Sequence, residues 1–262
     1  MPRVLITGSS SGIGLACARR LHETGWQVVG ASRRAVPEVP WPHVTMDVDD
    51  DGSTAAGATR VLDDGPLDAV VTCAGWGLAG PVETTSAEDA RAQFETNFWG
   101  TDRVVRAILP SLRERRSGRL VLVGSLAGII PIPFQAYYSA TKFALEGWAG
   151  ALALEVAPFG IHVTVVEPGN VNTGFTDARQ TTVSDDDPYR DAALRAITKM
   201  EGDERSGVDP VDVARTIEKV LSRRHPPRRV SVGRWGERVG VPAKRLLPQR
   251  VFERAAGPSL GV

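Results

Sequence analysis

The 262-residue chain holds only two cysteines, Cys17 and Cys73, which excludes a disulfide framework, and it has no Cys-x-x-Cys pair for zinc. Its four histidines, His22, His43, His162 and His225, are scattered without metal-ligand spacing, so no metal centre is expected. No apolar run approaches the ~20 residues that span a bilayer. Met1-Pro2-Arg3 leads straight into an apolar segment without a signal-peptide pattern, so a cytoplasmic protein with no membrane span is expected. Net charge is missing too: 31 basic and 31 acidic residues cancel, and nothing global points to nucleic acid. The cancellation is uneven. From Arg223 onward there are ten basic and two acidic residues, a net of +8, which leaves −8 on residues 1–222.

Lysine is scarce, with 4 against 27 arginines, and Lys142 is the only one before Lys199. It follows Tyr138 by four residues, in Tyr137-Tyr138-Ser139-Ala140-Thr141-Lys142. On a helix those two positions share a face, so the ammonium can lie near the phenol. A compact ammonium differs from a guanidinium in donor geometry and acidity. An adjacent cation lowers a tyrosine pKa from about 10, which makes a proton-transfer group usable near neutral pH.

What the chain does have is alternation. Strands are expected at Val4–Thr7, Gln27–Ala31, Val44–Met46, Leu67–Thr72, Arg119–Val123, His162–Val166 and Arg228–Val232. Helices are expected at Gly12–Thr24, from Ser86 to Arg116 in one or two pieces, at Gln135–Val156 and at Pro210–Ser222; Ser86 with Asp89 marks a helix start. This pattern predicts an α/β, doubly wound Rossmann fold: a parallel sheet of about seven strands with helices on both faces, in one domain over 1–262. Residues 174–207 read as a polar insertion with some helix, of the kind that forms a substrate lid. Residues 233–262 read as a basic, irregular tail.

Thr7-Gly8-Ser9-Ser10-Ser11-Gly12-Ile13-Gly14 joins the first strand to the first helix. Glycines there allow a tight turn and let bare backbone approach a pyrophosphate at the helix N-terminus. The same run contains Gly-x-Ser-x-Gly with Ser10 as a would-be nucleophile. An elbow at residue 10 leaves no preceding strands to build a hydrolase sheet, so that reading fails. The second strand ends in Gly30-Ala31-Ser32-Arg33-Arg34, with no carboxylate for a ribose hydroxyl. A hydroxyl and two guanidiniums suit a 2′-phosphate, so NADP(H) is expected over NAD(H).

The glycine loop, Ala74-Gly75, Asn97, Ser125, Tyr138 with Lys142, and Pro168-Gly169 occur in an order and spacing that resemble the short-chain dehydrogenase/reductases over about residues 3–222. The resemblance implies an NADP(H)-dependent oxidoreductase moving a hydride between nicotinamide and a ketone or secondary alcohol. It implies Tyr138 as general acid/base, Ser125 on the substrate oxygen, Lys142 on the nicotinamide ribose and Asn97 holding a water. For the nucleotide it implies Gly8, Ser10, Ser11, Gly12, Ile13 and Gly14, then Ser32 and Arg33, with Asp47-Val48 at adenine. Ala74, Gly75, Pro168, Gly169, Val171 and Thr173 complete the set. Where members of the family often have two asparagines before Ala-Gly, this chain has Thr72-Cys73.

Ile129 to Phe134, Trp76 and Phe175 are expected to form an apolar wall for a lipophilic ketone or alcohol. The C-terminal half, with its basic Pro226–Pro248 stretch, is similar to the hydroxysteroid/retinol-dehydrogenase-like branch. The resemblance also implies a homodimer or homotetramer pairing through the long helices, with Trp148 at the interface. Two other classes fit the same fold: an NADP(H)-binding sensor without turnover, and an interaction protein that binds no nucleotide.

Overall fold

The computed structural model describes residues 1–36 and 38–261. Seven parallel strands form one sheet: β1 (Arg3–Thr7), β2 (Gln27–Ser32), β3 (His43–Thr45), β4 (Ala69–Thr72), then β6 (Gly118–Val123), β7 (Ile161–Pro168) and β9 (Arg229–Val232), in the order β3-β2-β1-β4-β6-β7-β9. The central strands are continuous apolar runs because both faces are covered; every residue of β1 and β4 is buried. On one face α1 (Gly12–Glu23) and α7 (Pro210–Ser222) seal a core around Val4, Ile6, Val71 and Ile217. On the other, α2 (Asp51–Asp63), α4 (Gly100–Arg115) and α5 (Ala136–Glu155) pack over Leu5, Val70, Leu120 and Val163. Strand order reverses between β1 and β4, which opens a crevice at their carboxyl ends where such sheets bind ligands.

The expected doubly wound Rossmann architecture is what the chain adopts, with element ends within a residue or two of those read from the sequence. Ser86 caps α3 (Ala87–Phe94): its hydroxyl accepts from Asp89 N at 3.0 Å and donates to Asp89 Oδ2 at 2.7 Å. Between α3 and α4 the helix widens into a π turn at Glu95–Trp99, which carries Asn97.

Some elements escaped the sequence reading. Helix α2 is capped by Asp50, whose carboxylate accepts from Ser53 N at 2.6 Å. Its Gly52 and Gly57 hid it; a side chain at Gly57 would press on the terminal methyl of Met46. The expected irregular tail is instead two helices, α8 (Trp235–Leu246) and α9 (Gln249–Leu260). The 174–207 stretch holds its expected helix as α6 (Arg190–Arg205), but also a strand, β8 (Gln180–Thr181), which pairs with β5 (Leu78–Ala79) as a separate two-stranded ribbon. Trp148 packs edge-on against Phe98 of its own chain, with ring centroids 6.3 Å apart, beside the core.

Candidate active site

A cleft of about 1500 Å³ runs along the carboxyl ends of the strands. Every site residue expected from the sequence lines it except Asp47. The glycine loop forms its floor. Gly8 and Gly12 sit at φ +66° and +52°, a region that favours glycine, and a side chain on Gly8 would meet Ala74 N at 2.7 Å. Gly14 lies directly on the Gly8 carbonyl, so the first turn of α1 closes on the loop. Ser11, the N-cap, makes no side-chain capping bond, and the first turn carries no acidic residue. The helix therefore presents its backbone N–H groups and its positive end to the cleft, as an anion requires.

At one end lie Ser32, Arg33, Arg34, Met46, Val48 and Asp49. The Ser32 hydroxyl donates to Arg34 O at 2.7 Å and sits 2.9 Å from His43 Nε2, so it braces the turn that carries the two exposed arginines. Burial holds His43 below the usual imidazole range. Asp47 does not line the cleft: its Oδ1 accepts from Asp49 N at 3.1 Å, and its N–H donates to Ser53 Oγ at 2.9 Å. Asp49 fronts the cleft instead. Its Oδ2 accepts from Thr96 at 2.8 Å, its Oδ1 is buried without a partner, and burial raises its pKa. A second carboxylate in the run Asp47-Val48-Asp49 was the only sequence signal for it.

At the other end α5 projects Tyr138 and Lys142 from its first two turns. Ser125 follows β6; its hydroxyl accepts from Ala127 N at 3.0 Å and faces Pro168 O at 3.4 Å. The Tyr138 ring keeps some surface open to the cleft, but its hydroxyl is deep. Burial pushes it up to about 12, against a lowering hydrogen bond from Ser125; Glu204 raises it further and Arg179 lowers it. The expected depression by Lys142 is absent. The ammonium stands 5.8 Å from the centroid of the phenol ring and donates to Val123 O at 2.9 Å. Lys142 itself is pushed down to about 8 by burial, opposed by Cys73 and Glu146.

Asn97 clamps the strand end across the cleft. Its Oδ1 accepts from Trp76 N and its Nδ2 donates to Trp76 O, both at 3.0 Å. Thr173 comes within 3.5 Å of where a Gly12 side chain would start, so the segment from Pro168 to Thr173 roofs the glycine loop.

Of the expected apolar wall, Trp76, Ile130, Ile132 and Phe175 face the cleft. Ile129, Pro131, Pro133 and Phe134 do not; Phe134 packs with Ala79, Ala193 and Ile197 under α6. The sequence reading missed Gln135, Met200, Glu204, Leu247 and Phe252, which complete this end. Behind Phe175 lies a charged pair: Arg179, its side chain 1% exposed, meets Glu204 at 2.5 Å, and Thr176 donates to the same carboxylate at 2.7 Å. Nothing in the sequence marked Arg179 and Glu204 as partners, because 25 residues separate them and most of α6 lies between. A second charged cluster backs Lys142. Glu146, one turn on, meets Arg229 at 2.7 Å, with the buried Glu167 nearby, and it is raised to about 7 by burial and by Glu167.

A family model described as short chain dehydrogenase matches residues 2–184. A 3-ketodihydrosphingosine reductase of Bacteroides thetaiotaomicron is 36% identical over 256 residues, covering 96% of this chain and 95% of its own. Retinol dehydrogenase 8 of Bos taurus is 37% identical over 251 residues, covering 86% and 80%. The crystal structure of a short-chain dehydrogenase from Streptomyces avermitilis superposes with a TM-score of 0.84 at 31% identity, covering 98% of this chain and 96% of that one.

Proposed function

The chain belongs to the short-chain dehydrogenase family, whose relatives here include reductases and dehydrogenases, and on that premise we propose that it reduces a lipophilic ketone to a secondary alcohol with NADPH. The observation that carries the reading is one cleft with bare helix-terminal backbone at its centre, Arg33 and Arg34 at one end and Ser125, Tyr138 and Lys142 at the other.

The residues fit a dinucleotide. Gly8, Ser10, Ser11, Gly12, Ile13 and Gly14 would hold the pyrophosphate, and Arg33 and Arg34 a 2′-phosphate, on the turn that Ser32 braces. Val48 and the unpartnered Asp49 Oδ1 would receive adenine. Ala74, Gly75, Pro168, Gly169, Val171 and Thr173 would flank the nicotinamide, with Lys142 on its ribose. When bound, the nicotinamide supplies the hydride.

Ser125 orients the carbonyl oxygen and Tyr138 gives it a proton. Burial keeps the phenol protonated through the neutral range, ready to give its proton to the carbonyl oxygen. Trp76, Ile130, Ile132, Phe175 and Met200 exclude water and accept an apolar substrate, in keeping with a 3-ketodihydrosphingosine reductase and a retinol dehydrogenase among its relatives. Residues 174–207 act as the lid. The chain works as one domain and pairs through α4 and α5, beside which Trp99 and Leu154 are exposed.

The test is NADPH consumption against a panel of long-chain and aromatic ketones, with Tyr138→Phe alongside. Turnover should fall by about a thousandfold in the variant while NADPH affinity stays within about twofold. A variant that turns over normally would sink the mechanism.

A further inference from the structure

Helix α8 is amphipathic the wrong way round. At about 100° per residue, Glu237, Gly240 and Lys244 share one side, and that side meets the body. Glu237 Oε1 accepts from Asn170 at 2.7 Å, Gly240 abuts Ile130, and Lys244 donates to Ile129 O and lies over the Phe143 ring. The opposite side carries Trp235, Pro242 and Leu246. Trp235 and Leu246 are about three turns apart and within about 20° of each other around the axis, and they are 80% and 82% exposed. Leu247, just before α9, and Val251, in its first turn, extend this apolar strip into solvent. A surface helix ordinarily turns such residues inward.

The strip is flanked by positive charge. Arg238, Arg250 and Arg254 are exposed along it. Residues 233–262, which bear the strip, hold six basic and two acidic residues, a net of +4. The strip also adjoins the cleft, because Gly236, Gly240, Leu247 and Phe252 line its outer end.

We propose that α8 and the start of α9 dock on an anionic lipid surface, with Trp235, Leu246, Leu247 and Val251 entering the headgroup region and the arginines pairing with lipid phosphates. An outward apolar strip with a tryptophan and a basic flank is the pattern of a helix lying in a membrane interface. No helix among the described residues is long and apolar enough to cross a membrane, so the attachment is peripheral. The outer end of the cleft would then face the bilayer. This inference stands apart from the oxidoreductase reading, since its test measures attachment without cofactor or substrate.

The test is co-sedimentation of the full chain with vesicles of phosphatidylcholine, alone or mixed with phosphatidylglycerol. The double variant Trp235→Glu with Leu246→Glu serves as the comparison, and its Tm and circular dichroism report that it folds. The wild type should bind the mixed vesicles, release in high salt and ignore phosphatidylcholine alone. The double variant should bind about tenfold more weakly. No binding to mixed vesicles, or equal binding by the variant, overturns the proposal. So does a wild-type dimer that the variant dissolves, which would make the strip a contact between copies of this chain.

Discussion

The two ends of the cleft are built by different means. The nucleotide end is built on backbone, a glycine loop, strand termini and the first turn of α1 fixed by the register of parallel strands, with the Arg33 and Arg34 side chains at its tip. The substrate end is side chains carried by later additions, the 174–207 stretch and the tail helices, held by the Arg179–Glu204 pair and by contacts such as Gln135 with Met200. A site made of backbone tolerates almost no added atom. A site made of side chains tolerates changes of shape but depends on buried charges staying paired.

The largest effect on binding is expected at the nucleotide end. Gly8→Ala places a methyl 2.7 Å from Ala74 N at a φ of +66°, and NADPH binding should weaken by about a hundredfold. Titration of the folded variant checks this; unchanged affinity would break the contrast.

At the substrate end, Arg179→Met strands Glu204, 13% exposed, beside apolar neighbours. That should cost about 3–5 kcal/mol, roughly 10 °C in Tm, with NADPH affinity kept. Adding Glu204→Gln should restore part of the loss, which thermal unfolding of the three proteins would show.

The smallest effect is a pH dependence. Glu146 is held up at about 7, above its ordinary 4.5, so its contribution to stability is whole at low pH and drains as pH rises through 7. Between about pH 4.5 and 7 the wild type should therefore lose Tm relative to Glu146→Gln. Lys142, held down at about 8, acts the other way, losing stability as pH falls from 10.5 through 8. Parallel curves for the two proteins below pH 7 would contradict this.

The same contrast explains what the sequence disclosed. The strands, the glycine loop and the Tyr138–Lys142 spacing were legible because backbone geometry demands particular residues at particular intervals. Asp49 was missed because either carboxylate of the run satisfies the pattern, and the turn into α2 is what brings Asp49 to the cleft. Phe134 was misplaced because its left-handed backbone, φ +57°, swings it under α6. The tail helices were hidden by Gly236, Gly240 and Pro242 and by an apolar strip that faces outward. The Lys142 effect on Tyr138 failed because adjacency along a helix face does not fix where a long side chain ends, and this one ends on Val123 O.

The measurement that tests the account most directly is a fluorescence titration of the purified chain with NADPH and with NADH, repeated on Arg33→Ala. The account predicts NADPH binding at least about tenfold tighter than NADH, with the difference shrinking in the variant. Equal or tighter binding of NADH by the wild type would contradict it.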